Sequence, residues 1–186
     1  MGRLIYALNV SADGYVETAD HDLSWGTVDE ELHTWFNDRM RELDASLYGR
    51  RLYELMAGAW PTVATDASAP AYMREFGKTW LSTPRYVFSS SLDHVEHNST
   101  LVRGGVREEL ERIRSEHSGD LEVGGATLAA SFIREGLVDE FQLIVHPVVI
   151  GGGTPFFPLL DQPLPLRLVD TKRFTSGVQM LAYRPT

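Results

Sequence analysis

Between Leu121 and Phe157 the chain reads LEVGGATLAASFIREGLVDEFQLIVHPVVIGGGTPFF, and no other stretch constrains the fold as strongly. A short apolar strand ends in Gly124-Gly125, and a helix of small residues begins at once, with Thr127 in its first turn. A second strand follows and ends near the triple glycine Gly151 to Gly153. Direct alternation of strand and helix is the pattern of a parallel α/β sheet. Two glycines at a strand–helix junction leave backbone N–H groups open at the positive end of the helix dipole, with no Cβ in the way. Such a junction points to a phosphorylated ligand, a nucleotide first of all.

The rest of the chain extends the alternation. Arg3 to Val10 reads as a strand, Ser11 to Gly14 as a turn, and Tyr15-Val16 resumes extended structure. Thr27 to Leu43 reads as a helix, with Thr27 as N-cap and Glu30 completing a capping box. Ala45 to Tyr48 is a buried strand ending at Gly49, and Arg51 to Met56 is a short helix. Trp60-Pro61 to Ala69 is expected to be loop, and Pro70 to open a helix that runs to Thr79. Strands at Arg85–Ser89 and Thr100–Val102 precede a charged amphipathic helix over Val106–Glu116. After the strand Leu121–Val123 and the helix Thr127–Glu135 comes a long strand, Val138–Val149. Pro147 predicts an edge or a bulge there. Leu164–Thr175 and Val178–Tyr183 close the chain as two strands joined at Ser176-Gly177. The expected fold class is α/β, a mostly parallel central sheet with flanking helices and an antiparallel C-terminal hairpin.

Composition narrows the function. At 186 residues the chain suits one domain with a sizeable core. A net charge of −9 has the wrong sign for a general nucleic-acid binder, so no nucleic-acid partner is expected. An anionic cofactor can still be met locally by Arg50-Arg51 or Arg103. The chain has no cysteine, which excludes disulfides, thiolate zinc sites and thiol nucleophiles. No apolar run approaches the roughly 20 residues of a membrane span, and MGRLIYALNV lacks the features of a signal peptide, so cytoplasmic residence is expected. The six histidines show no metal spacing, and no metal is expected. His94-Val95-Glu96 matches half of a zinc-deaminase signature whose cysteine half this chain cannot supply. Walker, G-x-G-x-x-G and Gly-x-Ser-x-Gly patterns are all missing.

Four loops follow predicted strands: Ser11–Gly14, Gly49-Arg50-Arg51, Ser89-Ser90-Ser91 and Gly124–Thr127. In an open α/β sheet the ligand crevice lies along the C-terminal strand ends, so these loops can line one extended site. Arginine beside serines suits an extra phosphate monoester, which points to NADPH over NADH. Each signal alone is compatible with an ordinary turn or a solvated cation; their joint placement favours a ligand. Trp25, after a polar loop near the first strand end, is a further ligand-facing candidate, and His146 is expected to pack or bond within its strand.

These motifs resemble the dihydrofolate-reductase-like superfamily. The resemblance is to the reductase (C-terminal) domain of the bifunctional riboflavin-biosynthesis deaminase–reductase and to stand-alone bacterial proteins of that type. It is carried by Ser11-Ala12-Asp13-Gly14-Tyr15, Tyr48-Gly49-Arg50-Arg51-Leu52-Tyr53-Glu54 and Gly124-Gly125-Ala126-Thr127-Leu128-Ala129. Gly136-Leu137-Val138-Asp139-Glu140 and the stretch from Pro147 to Gly-Gly-Gly-Thr-Pro-Phe-Phe at Phe157 complete it. It implies a single reductase domain over residues 1–186, an NADPH cofactor, a small-molecule substrate and a homodimer joined through the strand-rich C-terminal part. It places Ala7 beside the nicotinamide and assigns Arg50, Ser89 and Ser90 to the 2′-phosphate. Gly124, Gly125, Ala126 and Thr127 would meet the pyrophosphate, with Gly49 allowing close approach and Leu52 and Leu128 flanking the cofactor. Val123 stands where the riboflavin enzyme has glutamate, and Glu122 lies one position earlier. Asp13, Tyr15 and Glu31 are the groups expected to orient substrate or relay a proton. The expected reaction is hydride transfer to a C=N or C=O of a small heterocycle. The first substrate is 5-amino-6-(5-phosphoribosylamino)uracil, with Arg103 or Lys78 for its phosphate, and the second is dihydrofolate. The sequence leaves open a non-catalytic nucleotide-binding dimer, and a binder of another phosphorylated ligand.

Overall fold

The computed structural model describes residues 2–186. Strand β1 (Leu4–Ser11) alternates as its sequence demands: Leu4, Tyr6 and Val10 enter one core and Ile5 and Ala7 another. A tight turn leads to β2 (Tyr15–Glu17). Helix α1 (Glu30–Glu42) is capped by Asp29, whose carboxylate accepts from the Leu32 N–H at 2.9 Å. The cap therefore lies two residues beyond Thr27. An ionised oxygen satisfies the open N–H groups better than a threonine hydroxyl.

Strand β3 (Leu43–Gly49) runs into α2 (Arg50–Thr65), which passes through Pro61 where the sequence predicts loop. An interior proline costs about 3 kcal/mol. Packing offsets it: the Trp60 ring lies 4.4 Å from Phe76 of α3 (Ala71–Ser82). Strands β4 (Arg85–Phe88) and β5 (Ser99–Val102), helix α4 (Val106–Glu116), strand β6 (Asp120–Gly124) and helix α5 (Ala126–Arg134) follow as the pattern predicts. Strand β7 (Glu140–His146) stops before Pro147. It lies inside the sheet between neighbours, not at an edge, and the proline falls outside its ladder. Strands β8 (Thr154–Pro155), β9 (Leu166–Arg173) and β10 (Gln179–Pro185) end the chain.

Eight strands form one sheet in the order β5-β4-β3-β6-β1-β7-β10-β9. The first six are parallel; β10 runs antiparallel to both β7 and β9, so the C-terminal hairpin closes one edge. One face is covered by α4 and α5 through Leu110, Ile113, Ala129 and Phe132. The other is covered by α1, α2 and α3 through Leu32, Met40, Tyr53 and Trp80. At the N-terminal strand ends the buried Glu140 carboxylate holds Arg3 at 2.7 Å and Arg184 at 2.9 Å, and Arg3 also bonds Asp120.

The triple glycine shapes backbone. All three residues have positive φ, and a Cβ on Gly153 would lie 1.9 Å from the Glu17 carbonyl oxygen, so β8 can pair with β2 only through glycine. The Asp13 carboxylate anchors the same loop, accepting from the N–H groups of Ile150 (3.1 Å) and Gly151 (2.8 Å).

Candidate active site

The chain goes outward from β1 to β3, β4 and β5, then returns to insert β6 between β3 and β1. That reversal is a switch point, where the connections diverge and leave a crevice beyond the strand ends. A cavity of about 1190 Å³ opens there and extends over the sheet face beneath α1, α2 and α3. It exceeds the roughly 300–1,000 Å³ of a single small-ligand site.

One end of the cavity is formed by β3, β6 and the helices they feed. Helices α2 and α5 begin at Gly49 and Gly125, neither with a side-chain cap nor with an acidic residue in its first turn. Helices α1 and α4 instead carry Glu30-Glu31 and Glu108-Glu109 there. The first helical bond of α5 is Ala129 N–H to Gly125 O, so the N–H groups of Ala126, Thr127 and Leu128 keep free donors. Gly125 has φ +90°, and a Cβ on Gly124 would sit 2.5 Å from Leu52 Cδ2. Leu128 packs near Gly49 on the opposite side. Arg50, about half exposed, reaches Glu54 only at 3.5 Å and keeps the freedom to turn toward a ligand. Open donors, two positive helix ends and a loosely held arginine fit a dinucleotide phosphate.

The other end is formed by α1, α2 and α3. Rings of His33, Tyr72, Phe76 and Trp60 enclose it, with His33 centred 5.0 Å from Tyr72 and 5.3 Å from Phe76. Burial lowers the His33 pKa and keeps its ring neutral. On the floor Glu122 of β6 bonds Arg39 of α1 at 2.9 Å through Oε2. Its Oε1 accepts no hydrogen bond among the described residues. Burial raises the Glu122 pKa, against the opposing pull of Arg39. At the mouth, Glu17 holds Arg51 at 2.8 Å, Thr154 at 2.6 Å and His21 at 3.0 Å. Burial alone would push Glu17 up, but these bonds hold it at about 2.

Of the residues named from sequence, Ala7, Gly49, Arg50, Leu52, Gly124, Gly125, Ala126, Thr127 and Leu128 line this one cavity, and so does Trp25. Ser89 and Ser90 do not. The Ser89 hydroxyl accepts from the Ser91 and Leu92 N–H groups, and Phe88 is the residue of β4 that reaches the cavity. Asp13, Tyr15 and Glu31 also lie outside it. Asp13 anchors the glycine loop, Tyr15 pairs with Pro155, and Glu31 accepts from the Thr175 N–H at 2.9 Å. Arg103 is bound to the carbonyls of Ser89, Ser90 and Leu92, and Lys78 is exposed on α3. His146 bonds Asn9 of β1 at 2.9 Å and meets the Trp25 ring edge, so its partners lie outside its own strand. Sequence reasoning missed Arg39 and Glu17 and noted Glu122 only as a displaced glutamate. A charged residue amid the apolar β6 was the available signal.

Known proteins share this architecture. The uncharacterized Bacillus subtilis protein YyaP is 32% identical over 182 residues, spanning 97% of this chain and 94% of its own. A solved Shewanella sp. PV-4 protein, provisionally named a riboflavin biosynthesis protein, superposes with a TM-score of 0.77 at 21% identity, covering 99% of both chains. The Thermotoga maritima diaminohydroxyphosphoribosylaminopyrimidine deaminase/5-amino-6-(5-phosphoribosylamino)uracil reductase superposes with a TM-score of 0.68 at 14% identity. That match covers all of this chain and 57% of the longer protein. The fold is thus dihydrofolate-reductase-like. Residues 3–180 match the RibD C-terminal domain, and the chain belongs to that family.

Proposed function

We propose that this protein is an NADPH-dependent reductase that transfers a hydride to a C=N or C=O bond of a small heterocyclic substrate. The observation that carries the reading is the pair of uncapped helix N-termini, α2 and α5, on adjacent parallel strands. When bound, NADPH supplies the hydride. The N–H groups of Ala126, Thr127 and Leu128 hold its pyrophosphate, and Gly124-Gly125 admit it. Arg50 meets the 2′-phosphate. Leu52 and Leu128 flank the cofactor, and Ala7 offers a small side chain on the sheet face beside the nicotinamide.

The polar contact to substrate falls to Glu122 rather than to Asp13, Tyr15 or Glu31, which face elsewhere. Glu122 pairs in register with Ile5, one step along the same face from Ala7. Its Oε1 relays a proton from water to the substrate nitrogen or oxygen as hydride arrives at carbon, and the carboxylate stays paired with Arg39 between turnovers. Arg39 fixes the orientation of the carboxyl group through Oε2. The reading includes a homodimer joined through the C-terminal strands, where Leu168 of β9 is an exposed apolar side chain, as is Leu159 in the segment before β9.

The test is NADPH oxidation against a substrate panel, with 5-amino-6-(5-phosphoribosylamino)uracil first and dihydrofolate second. Turnover of any C=N or C=O heterocycle, lost in Glu122→Gln, supports the reading. Tight NADPH binding with no oxidation across the panel favours a non-catalytic nucleotide-binding protein.

A further inference from the structure

We propose that the α1–α3 end of the cavity takes an uncharged, planar, largely apolar substrate that carries no phosphate. The inference rests on the reductase reading and narrows its substrate class. It starts from the charges on the cavity wall. Three arginines and three glutamates line it, and they pair one to one: Arg39 with Glu122 at 2.9 Å, Arg51 with Glu17 at 2.8 Å, Arg50 with Glu54 at 3.5 Å. Only the last pair is loose, and Arg50 stands at the start of α2, at the cofactor end. The Arg39 and Glu122 side chains are 12% and 16% exposed, so this pair is shielded from solvent. Glu17 is held by Thr154 and His21 as well as by Arg51.

A phosphate at the α1–α3 end would meet no free cation among the described residues. It would have to strip a guanidinium from its carboxylate and leave that carboxylate buried and unpaired. Failing that, it would lie desolvated against rings. The two cations that sequence reading offers for a substrate phosphate are engaged or distant, since Arg103 is tied to loop carbonyls and Lys78 does not line the cavity. What this end does present is ring surface: Trp60, Tyr72, Phe76 and the neutral His33, with Met56 and Met73 as adaptable filling. Glu122 Oε1 is the polar group on the floor, able to accept from an N–H at the edge of a planar molecule. Apolar walls with one oriented polar contact make a site for a small neutral heterocycle.

The experiment measures binding to NADPH-saturated protein by equilibrium titration. The probes are 5-amino-6-(5-phosphoribosylamino)uracil, the same compound without its phosphate, and quinoxaline as a planar uncharged C=N heterocycle. The dephosphorylated compound or quinoxaline is expected to bind at least ten-fold tighter than the phosphorylated one. Met73→Arg, which adds a cation without removing a ring, is expected to reverse the order. Trp60→Ala is expected to weaken the neutral probes at least ten-fold, and each variant's NADPH affinity reports whether its cofactor end is intact. Equal or tighter binding of the phosphorylated compound by the unaltered protein, or binding of none of the three, overturns the proposal. Failure to bind NADPH while a neutral probe still binds would remove the reductase reading and leave the assignment of this end standing.

Discussion

At the α5 end of the cavity the chain presents backbone. Gly124, Gly125 and the open N–H groups of Ala126 to Leu128 form the surface, and a loosely held Arg50 supplies charge. At the α1–α3 end it presents side chains: rings from three helices, and an Arg39–Glu122 pair shielded from water. Backbone donors and helix ends recognise a feature shared by many ligands, a phosphate, with little regard to what it is attached to. Side-chain rings and a single carboxyl oxygen recognise shape and one edge. The first end therefore suits a common cofactor and the second a particular substrate.

The largest expected effect breaks the second end. Glu122→Ala leaves the Arg39 guanidinium without its partner, at a cost of about 3 kcal/mol. For a chain of this size the melting temperature should fall by roughly 6–12 °C. Glu122→Gln keeps the shape. It should abolish turnover while leaving NADPH affinity within about two-fold in a fluorescence titration, a factor worth about 0.4 kcal/mol. Loss of NADPH binding in that variant would merge the two ends into one unit.

The next effect breaks the first end. Gly125 sits at φ +90°, a conformation that a β-branched residue adopts only under strain. Gly125→Val should weaken NADPH about 100-fold, or about 2.7 kcal/mol, with the quinoxaline affinity of the α1–α3 end less affected. Equal loss at both sites would show that the junction supports the whole cavity.

The glycine-lined end of the cavity was legible in the sequence because its information is local. A strand, two glycines and a small-residue helix are contiguous, and the free N–H groups follow from that arrangement alone. The sheet was legible for the same reason, since alternation at β1 and direct strand–helix succession are short-range patterns. The α1–α3 end was not. Arg39 and Glu122 are 83 residues apart and Glu17 and Arg51 are 34 apart, so only folding reveals that they cancel. Trp60-Pro61 reads as loop, yet contact with Phe76 carries α2 through it. Asp13 and Glu31 have the chemistry of substrate ligands, but both carboxylates accept backbone N–H groups of distant loops, an arrangement no local pattern encodes.

A smaller effect tests the charge pairing at the mouth. Glu17 is held at about 2, below its ordinary value of 4.5, so it contributes stability above the unfolded pKa that is lost as pH falls. Between about pH 5 and pH 2 it should account for about 2 kcal/mol of acid destabilisation, a figure that allows for solvent around the half-exposed Arg51. Denaturant melts across that range should show a shallower pH dependence in Glu17→Gln. An unchanged slope would mean that Arg51 is not neutralised by Glu17 and is available to a ligand.

The smallest effect concerns Arg50, and it bears most directly on the account. Parallel titrations of the unaltered protein and of Arg50→Ala with NADPH and NADH compare the two cofactors at one site. The account predicts tighter binding of NADPH than of NADH, and a loss of about ten-fold in NADPH affinity alone on substitution, or about 1.4 kcal/mol. Equal affinity for the two cofactors, or binding of neither, would contradict it.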